Sequence, residues 1–219
     1  MNPSRSLSSQ APAARQNARI KLLDAALLVI RAKGYSATTV DDLCAAAGVT
    51  KGAFFHHFAS KEALGVAAAN HWSATTAELF ATAPYHNHAD PLDRVLAYID
   101  FRAALLDGPL EAFTCLVGTM VQETYGSSDA IRAACAASIS GHAETLEADI
   151  AAAMMLYDVK ETTPASLAIH TQTVLQGAFI LAKAKGGPEI ARDSVAHLKR
   201  YFEMLFKRKE KHNVQDDFY

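Results

Sequence analysis

The chain has 219 residues, half of them hydrophobic and a fifth charged, with a net charge of −2 at pH 7; that is ample for a core without disulfides and too near neutrality for a polycation. No run reaches the ~18 apolar residues of a membrane span, and the polar, Ser/Ala/Pro-rich start MNPSRSLSSQAPAARQNAR lacks the apolar stretch of a signal peptide. Three cysteines, Cys44, Cys115 and Cys135, show neither CxxC nor metal-ligand spacing, so a cytoplasmic protein with reduced thiols, no membrane partner, no metal and no other cofactor is expected.

The charge is unevenly spread. Residues 1–62 hold eight Lys/Arg against four Asp/Glu, whereas residues 63–185 hold six against thirteen. A basic N-terminal module on an acidic body places any attraction for phosphates at the N-terminal end.

In chain order, residues 1–16 are predicted as a flexible arm. Its Arg5 and Arg15, with Arg19 just beyond, can reach a groove or phosphates, but a solubilising leader is the simpler reading. From Asn17 to Lys33 the apolar residues Ile20, Leu23, Leu27 and Ile30 follow helical spacing, and Gly34 suits the C-cap. Thr38 to Lys61 reads as two short helices meeting at Gly48. Thr39 with Asp42 forms a capping-box start, Gly48 and Val49 make the turn, and Thr50 caps a second helix, Lys51–His57. This is the spacing of a helix-turn-helix, whose second helix enters a DNA major groove with its N-terminal residues leading.

Ser60 is predicted to cap a long helix to about Thr82, followed by a loop at 83–90. His86, His88 and Asp90 are metal ligands on paper only, since a His-rich loop more often binds nothing. Asp90-Pro91 opens a helix to about Leu106. A further helix ends near Tyr125, a long one spans to about Tyr157, Thr163-Pro164 starts another through Lys185, and a last one covers Glu189 to about Lys209. No strand-period alternation occurs, so the fold class is all-α with about nine helices. The implied domains are a three-helix helix-turn-helix head at 17–60, a helical-bundle body at 61–209 and a flexible tail at 210–219.

The head resembles the DNA-binding end of the TetR/AcrR family of transcriptional regulators. The resemblance runs from about Ala18 to Leu64. It rests on Thr38-Thr39-Val40, Ala46-Ala47-Gly48-Val49, Thr50-Lys51-Gly52, Phe54-Phe55-His56-His57 and Phe58-Ala59-Ser60-Lys61. Where the family usually carries a phosphate-binding Tyr, this chain has Phe55, which packs but cannot donate. The resemblance implies a homodimer that binds a palindromic operator, most often as a repressor, and is released by a small molecule. The DNA-facing candidates are Thr39, Thr50, Lys51, Gly52, Ala53, Phe54, Phe55, His56, His57 and Lys61.

For the effector, His142 and Glu123 interrupt apolar stripes, as polar groups that fix a ligand do. His170 and Gln176 are further polar candidates, and Phe101, Leu105, Phe113, Met120 and Phe179 are candidates for an apolar wall. The last two helices carry wide apolar faces. Val174, Ala178 and Leu181 with Val195, Leu198, Phe202 and Leu205 belong either to a helix pair buried in the monomer core or, as the family resemblance implies, to the dimer interface, and Ile169, Ile180, Tyr201 and Phe206 lie off those stripes.

The run Phe113 to Gly118 with Gln122-Glu123 partly resembles one branch of the family in which such a cysteine answers electrophiles or oxidants. That makes Cys115 an alternative sensor. No Lys or Arg neighbours it in sequence, so an inert buried thiol is the simpler reading. Two readings from other classes stand beside these: an all-α enzyme, for which no nucleophile–base spacing, phosphate loop or metal constellation is seen, and a protein-interaction module that keeps the helix-turn-helix only as a fold.

Overall fold

The computed structural model describes residues 10–207, and among them are ten α-helices and no strand. They are α1 (Gln10–Lys33), α2 (Val40–Ala47), α3 (Lys51–His57), α4 (Lys61–Ala81), α5 (Pro91–Ala104), α6 (Leu110–Phe113), α7 (Leu116–Thr124), α8 (Asp129–Tyr157), α9 (Pro164–Lys185) and α10 (Glu189–Phe206). The first nine residues of the expected arm, with Arg5, and the tail expected at 210–219 lie outside the described residues. From Gln10 the chain is already helical, so α1 starts earlier than Asn17.

Local chemistry sets most helix ends. Thr39 and Asp42 form the reciprocal capping box of α2, and Gly48 closes that helix at φ 63°, a left-handed conformation that favours glycine. Side chains of Thr50, Ser60, Asp90, Ser128 and Thr163 accept N-terminal backbone N–H groups of α3, α4, α5, α8 and α9.

Two stretches depart from the sequence expectation. The loop at 83–90 contains a 3₁₀ turn, Pro84–Asn87, which buries Tyr85. The single helix expected to end at Tyr125 is broken into α6 and α7 at Thr114 and Cys115, whose backbones are extended. The break is held from a distance: the Arg31 guanidinium on α1 donates to the carbonyls of Ala112 (3.2 Å) and Thr114 (3.3 Å). That contact spans more than eighty residues, so nothing local announces it.

Two apolar clusters result. One joins the head to the body: Leu22, Leu23, Ile30, Leu43, Phe54, Phe58 and Leu64 pack with Leu116, Val117 and Met120 of α7 and Ile131 and Cys135 of α8. The other lies within the body, where α5, α8, α9 and α10 bury Tyr98, Ile99, Ile150, Leu175, Leu198 and Phe202. Cys115 packs against both. By length and mean hydropathy α9 alone matches a membrane-crossing helix, but it lies between α8 and α10 as a core helix with close to half of that stretch buried.

Candidate functional site

The first site is the head's outer surface. Thr50 spends its hydroxyl on the N–H of Ala53 (3.2 Å), and Thr39 spends its own within the capping box. Lys51 is exposed and pairs with Asp41 at 3.0 Å, an ion pair that surface solvation makes weak and exchangeable. Gly52, Phe55 and His56 are exposed on the same short helix, and Ala53 and His57 are half-buried. The side of α3 that faces outward therefore offers one ammonium, one imidazole, one ring and a small residue that permits close approach.

Two of the expected DNA-facing residues do not face outward. Phe54 is fully buried, edge-on to Phe55 and tilted against Phe58 in the core of the head. Lys61 turns inward: its ammonium donates to the carbonyls of Tyr35 (2.9 Å) and Thr38 (2.8 Å) and sits 4.5 Å from the centre of the Tyr35 ring. Those carbonyls belong to the α1–α2 connection, so Lys61 secures that loop and is spent as a phosphate contact. Burial pushes its pKa down.

The second site is a pair of adjoining pockets in the body, an inner and an outer chamber that share part of their walls. The inner one, about 60 Å³, is walled by Trp72, Phe80, Arg102, Phe113, Cys115 and Phe179, with His142, Gln172 and Gln176 among its polar groups. The outer one, about 590 Å³, runs between α4 and α8, with Tyr85 and His86 also in its wall. Thr76, Phe80, Ser138 and His142 border both. Of the residues expected here, the structure brings together Phe113, Cys115, His142, Gln176 and Phe179. It does not bring Phe101, which packs edge-on against Phe80 behind the wall, or Leu105, which is exposed at the end of α5. Met120 is fully buried in the head–body cluster, and His170 lies on the surface beside Tyr201.

Glu123 also stands apart from the cavity, and its place is informative. Its carboxylate accepts the backbone N–H groups of Tyr35 (3.1 Å) and Ser36 (2.7 Å), gripping the head from the end of α7. The start of the same α7 meets the cavity at Cys115. Arg31, almost fully buried, bonds the chain just before that point and stacks over Trp72 at 5.0 Å. One short helix thus touches the cavity at one end and the head at the other.

Sequence reasoning missed Trp72, Thr76, Phe80, Arg31 and Arg102. The first three recur every four residues along α4; Arg102 follows Leu92, Val95 and Ile99 on the apolar face of α5. His142 is held in place by a relay: Gln172 donates to the Tyr98 hydroxyl (3.3 Å), which donates on to His142 Nε2 (2.9 Å). Burial first, and then Arg102, pushes its pKa down to about 4, so the ring is neutral at pH 7.

Among the described residues no trio of His, Cys, Asp or Glu is close enough to hold a metal. The polar ends of His86 and Asp90 are used locally, on the Phe80 carbonyl and on the start of α5.

A helix-turn-helix head fused to an all-α body is the architecture of a DNA-binding transcriptional regulator. Residues 22–68 match the family of bacterial regulatory proteins named for TetR, and residues 91–193 match the C-terminal domain of LmrA/YxaF-like transcriptional regulators. The chain belongs to the TetR family of transcriptional regulators, which are not enzymes.

Among its relatives is the HTH-type transcriptional repressor DhaR of Mycobacterium sp. (strain GP1), 31% identical over 54% of this chain and 58% of that one. Another is the transcriptional regulator AcuR of Cereibacter sphaeroides, 34% identical over 52% of each. The chain thus spans little more than half the length of the curated relatives it matches. A solved TetR regulatory protein from Rhodobacter sphaeroides superposes with a TM-score of 0.74 at 25% identity, covering 84% of this chain and 98% of that one. Reduced NemR of E. coli, 23% identical, shares the fold with a TM-score of 0.72 over 84% of this chain and 96% of its own.

Proposed function

We propose that the chain is a repressor that binds a palindromic DNA operator as a homodimer and releases it when a small molecule fills the body cavity. The observation that carries this is the connection through α7 between cavity and head. A ligand that shifts the wall at Cys115 acts on the cap of the same helix whose far end, Glu123, holds Tyr35 and Ser36. A ligand switches the protein only by binding one arrangement better than the other, and this helix is the element both sites share. The fold and charge point to the cytoplasm as the place of action.

The DNA surface in this reading consists of Lys51, Gly52, Phe55 and His56, with Thr50 and Ala53 at the leading end of α3. Of the residues expected at the dimer interface, Leu181 alone stands exposed. Ala178, Val195, Leu198 and Phe202 are buried in the protomer's own core, and Val174 and Leu205 are half-buried against it. What stands exposed is Ile169, Ile180 and Leu181 on α9 with Tyr201 and Met204 on α10. These apolar side chains on two adjacent helices are the surface a second copy would cover.

A second reading has one specific observation in its favour. Cys115 caps α7, its sulfur accepting the N–H of Gly118 at 3.4 Å, and it lies close enough to Arg31 and Lys183 to interact with both cations. Folding thus brings near the thiol the cations that the sequence lacks. The Cys115 thiol is then an alternative sensor of electrophiles or oxidants in the same cavity.

Selection of genomic fragments by purified protein at about 0.15 M salt tests the main reading. A recovered palindrome with half-sites about one helical turn apart is expected from a dimer, with affinity falling steeply as salt rises. Single half-sites would remove the dimer, and no enriched sequence from refolded, reduced protein would remove the regulator reading. Loss of binding on alkylation of the wild type, with Cys115→Ser resistant, would favour the thiol.

A further inference from the structure

The acidic body keeps its carboxylates away from the cavity. No Asp or Glu lines either chamber, although residues 63–185 hold thirteen of them. The inner chamber instead holds a cation, Arg102. Elsewhere on α5 the charges are paired, Arg94 with Asp149 at 2.7 Å and Asp100 with Lys199 at 2.7 Å. Arg102 has no carboxylate within ion-pair distance among the described residues. Its guanidinium rests instead on the rings of Phe80 (5.2 Å) and Phe179 (5.8 Å) and reaches His142 Nε2 at 3.4 Å. His142 is neutral, so it leaves the charge of Arg102 uncompensated.

An arginine that lies over aromatic rings and has no carboxylate partner keeps N–H donors for a ligand, and a pair of such donors matches a planar carboxylate. The inner chamber, about 60 Å³, admits a group of that size, and the outer chamber, about 590 Å³ and bordered by Ala77, Ala81, Ala134, Ala137 and Gly141, admits an apolar body. We propose that the cavity takes an organic monocarboxylate, its carboxylate on the edge of Arg102 in the inner chamber and its apolar body between α4 and α8. This rests on the effector reading of the cavity and names the chemical class of the effector.

Full-length protein would be titrated with straight-chain carboxylates from acetate to decanoate and, in parallel, with the amides of the same chain lengths. Calorimetry measures binding, and so does the fluorescence of Trp72, the chain's single tryptophan, which lines the inner chamber. The best acid is expected to bind about tenfold or more tighter than its amide, the margin of a charge-assisted hydrogen bond. Arg102→Met is expected to erase that margin and Arg102→Lys to keep part of it.

Amides binding as well as acids, an unchanged margin in Arg102→Met, or no acid of the series binding at millimolar concentration would each overturn the proposal. The acid–amide comparison on the wild type stands even if a variant folds poorly. Release of bound operator is scored separately. Acids that bind but leave the operator complex intact would sustain the carboxylate site and sink the effector reading; neutral compounds that release the operator without involving Arg102 would do the reverse.

Discussion

The head and the cavity body are built on opposite plans. The head is a run of some fifty consecutive residues whose caps, turn and recognition helix are all specified within a few positions of one another. The cavity is assembled from α4, α5, α6, α7, α8 and α9, and residues as distant as Trp72 and Phe179 meet across it. Yet the head does not complete its own core, because Leu116, Val117, Met120, Ile131 and Cys135 of the body finish it. The comparison teaches that local specification of a motif does not make it energetically independent. The surface that reads DNA is oriented by the part of the molecule that encloses the cavity.

That contrast can be broken by experiment, starting where the effect is largest. Phe54→Ala empties a fully buried site in the shared cluster and is expected to destabilise the protein by about 3–5 kcal/mol. Thermal unfolding checks this, and an isolated loss of DNA binding without loss of stability would mean the head melts alone. The next effect concerns pH and belongs to the body. The folded pKa of His142, about 4, lies below its ordinary 6.5, so the unfolded chain binds the extra proton between those values. The associated stability is complete above pH ~6.5 and is lost as pH falls toward ~4, amounting to about 2 kcal/mol at most between about pH 7 and 5. Denaturant melts of the wild type and of His142→Gln over that range are expected to diverge, with the variant flatter.

Smaller still, Glu123→Ala removes the acceptor of two N–H groups at the head–body seam and is expected to cost about 1–2 kcal/mol. Unchanged chemical-denaturation midpoints would show that the seam is held by apolar packing alone. Lys51→Ala is expected to leave stability within about 0.5 kcal/mol while weakening operator binding. It should also lower the slope of log affinity against log salt by about one. Filter binding at several salt concentrations distinguishes that outcome from loss of a base contact.

How much was legible in the sequence follows the same division. Thr39, Asp42, Gly48 and Thr50 announce the helix-turn-helix because each acts on backbone a few residues away. The spread of buried rings does not have that property. Phe54 and Phe55 are adjacent aromatics, and only the packing of α1 and α4 decides which one turns inward. Lys61 is misread for a related reason, since its carbonyl partners at Tyr35 and Thr38 come from an earlier loop. On α9 and α10 the phase of the exposed face was lost because apolar residues surround α9 almost completely, so periodicity cannot say which side meets the core. The surplus nonetheless showed in Ile169, Ile180 and Tyr201, which stand exposed, whereas Phe206, read together with them, is buried. Arg102 went unnoticed because an arginine after an apolar stripe looks like an ordinary helix edge until its lack of a partner is seen in three dimensions.

The continuity of α8 has a consequence for how such a protein diversifies. Its 29 residues form one rod, about 44 Å long at the usual rise. Ile131 and Cys135 anchor it to the head cluster, while Ala134, Ala137, Ser138, Gly141, His142 and Thr145 line the outer chamber in a single stripe. All but one of the stripe's side chains are small. Ala134 also packs against the head cluster, but enlarging the others one at a time reshapes the chamber away from the anchors, so ligand preference can drift, or be redesigned for a biosensor, while the DNA address stays the same.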